Sequence, residues 1–255
     1  MNGKTQKYLL PLSAFALLLV LWEAAARFSG YGEAVLPGPG AVFRSMVRLA
    51  ANGELARHAV ASLFRVTAGF YLAVFLGVPL GMLLGGWKPF RLFLNPVIQF
   101  MRPISPLAWI PLAMLWFGIG DKPAVFLIFL ASFFPICVST MVAVEGMRPT
   151  YFQVAANFGF TRRELICRVM FPAILPEVVT ALRISLCIAW LVVVAAEMIA
   201  VKSGLGYLIM DSRNALRMDH VLVALIVIGA IGLVLDGLMN RVTRMKSVFW
   251  GMVKR

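Results

Sequence analysis

The chain has 255 residues, 61% of them hydrophobic and 14% charged, with a formal net charge of +13. A soluble domain holds roughly 45–50% apolar and about 25% charged residues, so this composition excludes one ordinary globular core and points to a membrane protein. The basic excess would suggest nucleic acid in a soluble protein, but here it falls between and beside apolar runs, where it sets membrane orientation.

The first apolar run, Tyr8 to about Phe28, is predicted as a retained span; a cleaved signal peptide is the rival reading. Pro37, Gly38, Pro39 and Gly40 then break the chain. Val42, Phe43, Met46, Val47 and Leu49 follow at helical spacing, with Arg44 and Arg48 one turn apart, which predicts a short amphipathic helix in the interface. The second span is expected from about Ala59 to Gly86, with Gly69, Gly77, Gly81 and Gly85 spaced for close helix packing. Lys88 and Arg91 mark a cytoplasmic turn. The third span is the run Pro103 to Gly120, where Pro103, Pro106 and Pro111 predict a kink, either beside a pathway or for packing. The fourth runs from about Ala124 to Val144 and contains Pro135.

Glu145 to Arg183 is expected as the longest cytoplasmic piece, followed by a fifth span to about Val201 and a short outer helix within "SGLGYLIMDSRNALRMDH". The sixth span is His220 to about Met239, and a basic tail with Trp250 as interfacial anchor stays inside. The predicted fold is therefore an all-α membrane protein, a single domain over residues 1–255 with six transmembrane helices, a core at about 58–245 and both termini cytoplasmic. Cys137, Cys167 and Cys187 have no metal or redox spacing and are expected as free thiols, buried where they fall in apolar runs. His58 and His220 stand alone. No metal site and no nucleophile–base pair is expected, which argues against an intramembrane enzyme.

Ionisable residues inside spans are functional-site candidates, because one at the bilayer centre costs roughly 2.5–3.5 kcal/mol or more. Glu197, in "VVVAAEMIAV", is the foremost: a pathway or gate residue, a structural ion pair, or an outer-interface group, with Arg65 or Arg183 as possible partners. Arg65, Arg102 and Arg183 near span ends either serve an anion's route or snorkel to headgroups. Trp109, Trp116 and Trp190 either line a cavity or pack.

The segment "YFQVAANFGFTRRELICRVMFPAILP", residues 151–176, is too polar for lipid. Thr161 with Glu164 three residues on is a capping-box pattern, and Gly159 is a natural helix breaker. The segment reads as short helix, glycine turn and second helix stopping at Pro172, a docking element or a solvated connector.

Its spacing resembles the cytoplasmic "EAA" loop of membrane subunits of ATP-binding-cassette importers: Glu-Ala-Ala, three residues, Gly, nine residues, Ile-x-Leu-Pro. Here Gln153-Val154-Ala155 is followed after three residues by Gly159 and after nine by Val169-Met170-Phe171-Pro172. Ser105–Ile136, Leu182–Ile209, "LIVIGAIGLVLDGLM" and "LPGPGAV" also look like the nitrate/taurine/aliphatic sulfonate permease family. That resemblance implies a type I importer permease fold with a coupling helix, in a bacterial inner membrane. It implies two permease chains, expected as a homodimer, around a pathway for a small anion such as nitrate, taurine or an alkyl sulfonate. Two ATPase subunits would carry ATP and Mg, with no cofactor on this chain, and an extracytoplasmic binding protein would deliver substrate. The coupling residues implied are Gln153, Val154, Ala155, Ala156, Asn157, Phe158 and Gly159, with Thr161 and Arg162 beyond the turn. The competing reading is a stand-alone secondary transporter or channel, which needs no docking loop.

Overall fold

The computed structural model describes residues 3–28, 30, 32–33 and 35–243, with backbone alone for residues 3–9 and 11. Its helices are α1 (Gly3–Phe28), α2 (Pro39–Ala51), α3 (Glu54–Gly86), α4 (Lys88–Met101), α5 (Ile110–Phe117), α6 (Asp121–Glu145), α7 (Pro149–Asn157), α8 (Arg162–Glu164), α9 (Phe171–Ala200), α10 (Leu205–Asn214) and α11 (Met218–Thr243). A 3-10 turn at Pro106–Trp109 leads into α5, and a π turn at Leu165–Met170 joins α8 to α9. The basic tail with Trp250 lies outside the described residues.

The glycine spacing in the second span does what its period implies. A Cβ at Gly69 would come within 2.7 Å of Ile128, and one at Gly81 within 2.5 Å of the Cys137 carbonyl oxygen. Gly77 faces Ile136 and Gly85 faces Val144. Backbones this close allow no side chain between them, so α3 and α6 pack as one seam. Partner numbers rise together along that seam, so the two helices run parallel.

Parallel neighbours impose a return path. The chain leaves α3 at one end of the bundle and must enter α6 at the other. It climbs in two pieces. Phe90, Leu94 and Ile98 of α4 lie against Leu84, Cys137 and Met141. Then α5 sets Trp116 and Phe117 beside Phe126. The break between them falls at Pro103 and Pro106, which remove N–H donors and disfavour helix in the preceding residue. This corrects the expected third span. Pro103 to Gly120 is not one helix, and Lys88 and Arg91 begin a helix rather than form a turn.

Antiparallel to this pair runs α9. It starts with Met170 near Gly86 and ends with Ala200, whose carbonyl accepts the Gly120 N–H at 3.1 Å. α11 descends beside it, Trp190 Nε1 donating to the Ile228 carbonyl at 3.1 Å. Leu127, Ile128, Val193 and Ala196 fill the centre. The bundle thus has a lower end carrying α7 and an upper end carrying α2 and α10.

Four described helical stretches are long and apolar enough to cross a membrane: Glu54–Gly86, Asp121–Glu145, Arg162–Ala200 and Met218–Thr243. The helix that carries the expected fifth span therefore begins well before Ile184, within the expected Glu145 to Arg183 piece. Pro172 does not stop the helix either. The Phe171 N–H reaches back five residues to the Ile166 carbonyl, and this widened turn carries the rod past a residue with no N–H. Cys137 is buried as expected, but Cys167 and Cys187 are exposed.

Candidate functional site

Two groups of residues stand out, one at each end. At the lower end, α7 begins with Pro149 at its first helical position, where a missing N–H costs nothing. Its other end is a Schellman turn: Phe160 N–H donates to the Ala155 carbonyl and Gly159 N–H to the Ala156 carbonyl, both at 3.0 Å. Gly159 has φ +66°, the left-handed conformation this turn requires. Thr161 then caps α8, with its Oγ1 and the Glu164 side chain forming the expected reciprocal box.

Phe152 and Ala155 point α7 inward onto the body of the bundle. Tyr151, Val154 and Phe158, at i, i+3 and i+7, point away, and Phe158 is 74% exposed. Gln153, Ala156, Asn157, Gly159, Thr161 and Arg162 are exposed as well. The predicted coupling residues thus share one surface, except Ala155, which seats the helix. Nearby, Arg91 of α4 and Glu145 at the end of α6 form an ion pair.

At the upper end, Arg65 and Glu197 meet. The Arg65 Nη1 donates to Glu197 Oε1 at 2.5 Å, and the two side chains are 2% and 0% exposed. Around them the polar groups are matched. Ser62 Oγ donates to Glu197 Oε2 at 2.8 Å and accepts the Leu205 N–H at 2.9 Å. The Gly206 N–H donates to Glu197 Oε2 at 3.0 Å, and the Gly204 N–H to His58 Nδ1 at 3.0 Å. The first turn of α10, whose N–H groups have no partner within the helix, is therefore capped by side chains of α3 and α9. Gly204 and Gly206 are required here. A Cβ at Gly204 would occupy the Glu197 carboxylate, and one at Gly206 the Val194 carbonyl.

Arg65 reaches further. Its Nε donates to Asp121 Oδ1 at 2.7 Å, its Nη1 to the Ser203 carbonyl at 2.8 Å, and its Nη2 to Ser203 Oγ. One guanidinium ties α3 to α6, α9 and the loop before α10. Of the three expected roles for Glu197, the structure shows the ion pair, and with Arg65 rather than Arg183. Sequence reasoning missed Asp121, Ser203, Ser62 and His58. The signal was present: His58, Ser62 and Arg65 fall at i, i+4 and i+7, a polar stripe on one face of an apolar helix.

The other candidates stay apart from this cluster. Arg183 binds Asp236 through Nε at 2.8 Å and Nη2 at 3.1 Å, and Nη1 donates to Asn240 Oδ1 at 3.3 Å. It links α9 to α11 rather than snorkelling alone. That pair closes one end of a groove of about 240 Å³ lined by Cys187, Trp190 and Gly232. Arg102 is exposed at the break after α4. Trp109 is half-buried, its ring centroid 6.4 Å from that of Trp116. Among the described residues no group of three or more His, Cys, Asp or Glu is placed to hold a metal.

The amino-acid sequence matches, over residues 77–247, the family described as binding-protein-dependent transport system inner membrane component. The chain belongs to that family. Binding-protein-dependent permeases similar to it include a putative ABC transporter permease of Methanocaldococcus jannaschii, 38% identical over 91% of this chain and 88% of the relative. The taurine transport system permease protein of Escherichia coli is 34% identical over 89% of this chain and 84% of its own length. A bicarbonate transport system permease protein of Synechococcus elongatus is 33% identical over 91% and 87%. The fold is similar to that of a chain in a structure of the MetNI methionine ABC transporter, with TM-score 0.60 and 19% identity over 75% of this chain and 97% of that chain. This permease is thus a membrane subunit of an ABC importer, multi-pass in the inner membrane.

Proposed function

We propose that two copies of this permease form a pathway for a small anion such as nitrate, taurine, an alkyl sulfonate or bicarbonate, operated by ATP-driven alternating access. The single observation that carries the coupling half of this reading is the stripe Tyr151, Val154 and Phe158. It is an apolar face left open on a short helix that starts at Pro149 and is closed at its C-terminal end by the Gly159 turn. Such a helix lays its face into a groove of a partner. The partner is an ATPase subunit, which holds ATP and Mg; this chain holds no cofactor.

In this reading the α7 end is cytoplasmic, and both termini lie on that side. The chain crosses six times, with α1 first and α4–α5 as a broken third crossing. Arg102 and Trp109 at that break are the candidates for the pathway wall, because irregular backbone in a membrane is tolerated where it lines a cavity or is buried in protein. An extracytoplasmic binding protein delivers substrate to the α10 end and selects it.

When the ATPases close, α7 moves with them. It abuts the continuous rod Arg162–Ala200, so displacement at the lower end moves α9 relative to the α3–α6 pair. Substitution of both Val154 and Phe158 by Asp, in a tagged chain co-expressed with its ATPase, tests the docking. Loss of co-purification with normal membrane insertion is expected. A wild-type chain that brings down no ATPase would instead favour a stand-alone transporter.

A further inference from the structure

We propose that Asn95, Gln99 and Arg102 of α4 line the translocation pathway as a ladder of N–H donors for a small oxyanion, with Lys88 at its lower exit. The inference rests on the anion-importer reading above and names side chains of the wall that reading needs.

α4 has three faces, each a helical stripe. Phe90, Leu94 and Ile98 pack inward on α3 and α6. Phe93, Val97 and Phe100, at i, i+4 and i+7, are exposed, Phe93 to 76%. Asn95, Gln99 and Arg102 also fall at i, i+4 and i+7, and Lys88 extends their line two turns down. At about 100° per residue this polar line lies nearly opposite Phe93, Val97 and Phe100. Arg102 keeps to it because the helical turn continues through it, its N–H donating to the Ile98 carbonyl at 2.9 Å. One side of α4 therefore suits lipid, and the other does not.

The polar side is also unpartnered. Asn95 is half-buried and Gln99, Arg102 and Lys88 are exposed. Among the described residues none of these four makes a side-chain hydrogen bond or ion pair. Arg91, on the same side, has its charge matched by Glu145 at the lower end, and α4 carries no acidic residue. At 1.5 Å per residue Arg102 lies about 16 Å above Arg91, near the middle of a hydrocarbon core about 30 Å thick. Unmatched amides and a guanidinium at that depth need water or a ligand beside them. The fixed charge of the stripe is positive, so the ligand that complements it is an anion.

The order along the stripe suits passage rather than tight binding. Arg102 offers a fork of five N–H donors and each amide two. Residues three and four apart stand about 5–6 Å from one another, so one oxyanion reaches two rungs and passes from one to the next. Full charges stand at the two ends, with neutral amides between them, which keeps each stop weak enough to leave.

The test replaces Cys137, Cys167 and Cys187, then introduces Asn95→Cys, Gln99→Cys, Phe93→Cys or Phe100→Cys one at a time. Each permease is reconstituted with its ATPases in proteoliposomes. It is treated from both sides, without nucleotide and after vanadate trapping, with two methanethiosulfonates, one bearing a sulfonate and one a trimethylammonium group. Rates are divided by those of free 2-mercaptoethanol, which removes the intrinsic difference between the reagents. Asn95→Cys and Gln99→Cys should react in at least one state, and Phe93→Cys and Phe100→Cys in neither. At Gln99→Cys the anionic reagent should be faster by about tenfold, the scale of a unit charge one turn away in a partly hydrated cleft. Adding Arg102→Gln should abolish that preference, and Arg102→Lys should keep it.

Asn95→Cys and Gln99→Cys as unreactive as the phenylalanine positions would overturn the ladder and make the stripe a contact between copies. Reaction without charge preference, or a preference that survives Arg102→Gln, would overturn the assignment to an anion. Any of these results in a chain that assembles its ATPases leaves the importer reading standing. An anion preference in a chain that assembles no ATPase would support the ladder and sink the importer reading instead.

Discussion

Replacing Glu197 with Ala removes the sealed carboxylate and leaves its donors behind. The Arg65 guanidinium is then 2% exposed and short of one acceptor, and the Ser62 hydroxyl and the Gly206 N–H lose theirs. Breaking a buried ion pair by removing one partner costs about 3–5 kcal/mol. For a chain of this size about 1 kcal/mol corresponds to roughly 2–4 °C of melting temperature, so a fall on the order of 10 °C is expected. Glu197→Gln should fall less, because the amide oxygen still accepts from Arg65, while its NH2 faces donors and mismatches them. The assay is thermal unfolding of the purified permease in detergent, followed by intrinsic tryptophan fluorescence. Melting within about 1 °C of wild type for both variants would refute the claim that this carboxylate holds the upper end together. Uptake adds a second reading: a defect in Glu197→Gln larger than its loss of stability would favour the pathway role over the ion pair alone.

Gly159→Val forces a β-branched residue into a left-handed conformation, at a cost of roughly 1–2 kcal/mol, with no neighbouring atom in the way. The expected phenotype is a chain that inserts and assembles but shows ATP hydrolysis no longer matched by uptake; normal values of both would count against the turn's role. Thr161→Ala removes the cap of α8 and should cost about 1 kcal/mol, read as faster amide hydrogen exchange confined to residues 162–170. Gly81→Leu places a side chain where the Cys137 carbonyl lies, and no folded chain is expected in the membrane fraction. Arg91→Ala should loosen α4 from the end of α6 and increase protease cutting near Trp87, with little change at the upper end.

How far the sequence reached is clearest helix by helix. The α3–α6 seam was legible because glycine at a period of four or eight has one strong meaning in an apolar helix. The α7 turn was legible because Gly159, Thr161 and Glu164 act locally, within hydrogen-bond reach along the chain. The expected third span was misread because α4 is amphipathic: Lys88 and Arg91 look like a turn until Phe90, Leu94 and Ile98 find α6. Pro172 was misread for a related reason. Proline ends an α-helix whose hydrogen bonds keep step, but a π turn just before it shifts the step. The Arg65 cluster was half legible. The ion pair was named as an option, yet choosing Arg65 over Arg183 depends on which helices are parallel, and no local pattern encodes that.

The π turn at Leu165–Met170 has a consequence for orientation. Each residue of an α-helix advances the chain by about 100° around its axis. A turn that accommodates one extra residue therefore fixes the azimuth of everything before it relative to everything after it. Deleting a single residue there would relax the turn to α-helical spacing with the azimuth little changed, whereas deleting one from the α-helical stretch that follows would swing Tyr151, Val154 and Phe158 by about a quarter of a circle around the axis of α9. The direction in which the open face of α7 points is in this sense an angular setting, encoded by chain length as much as by side chains.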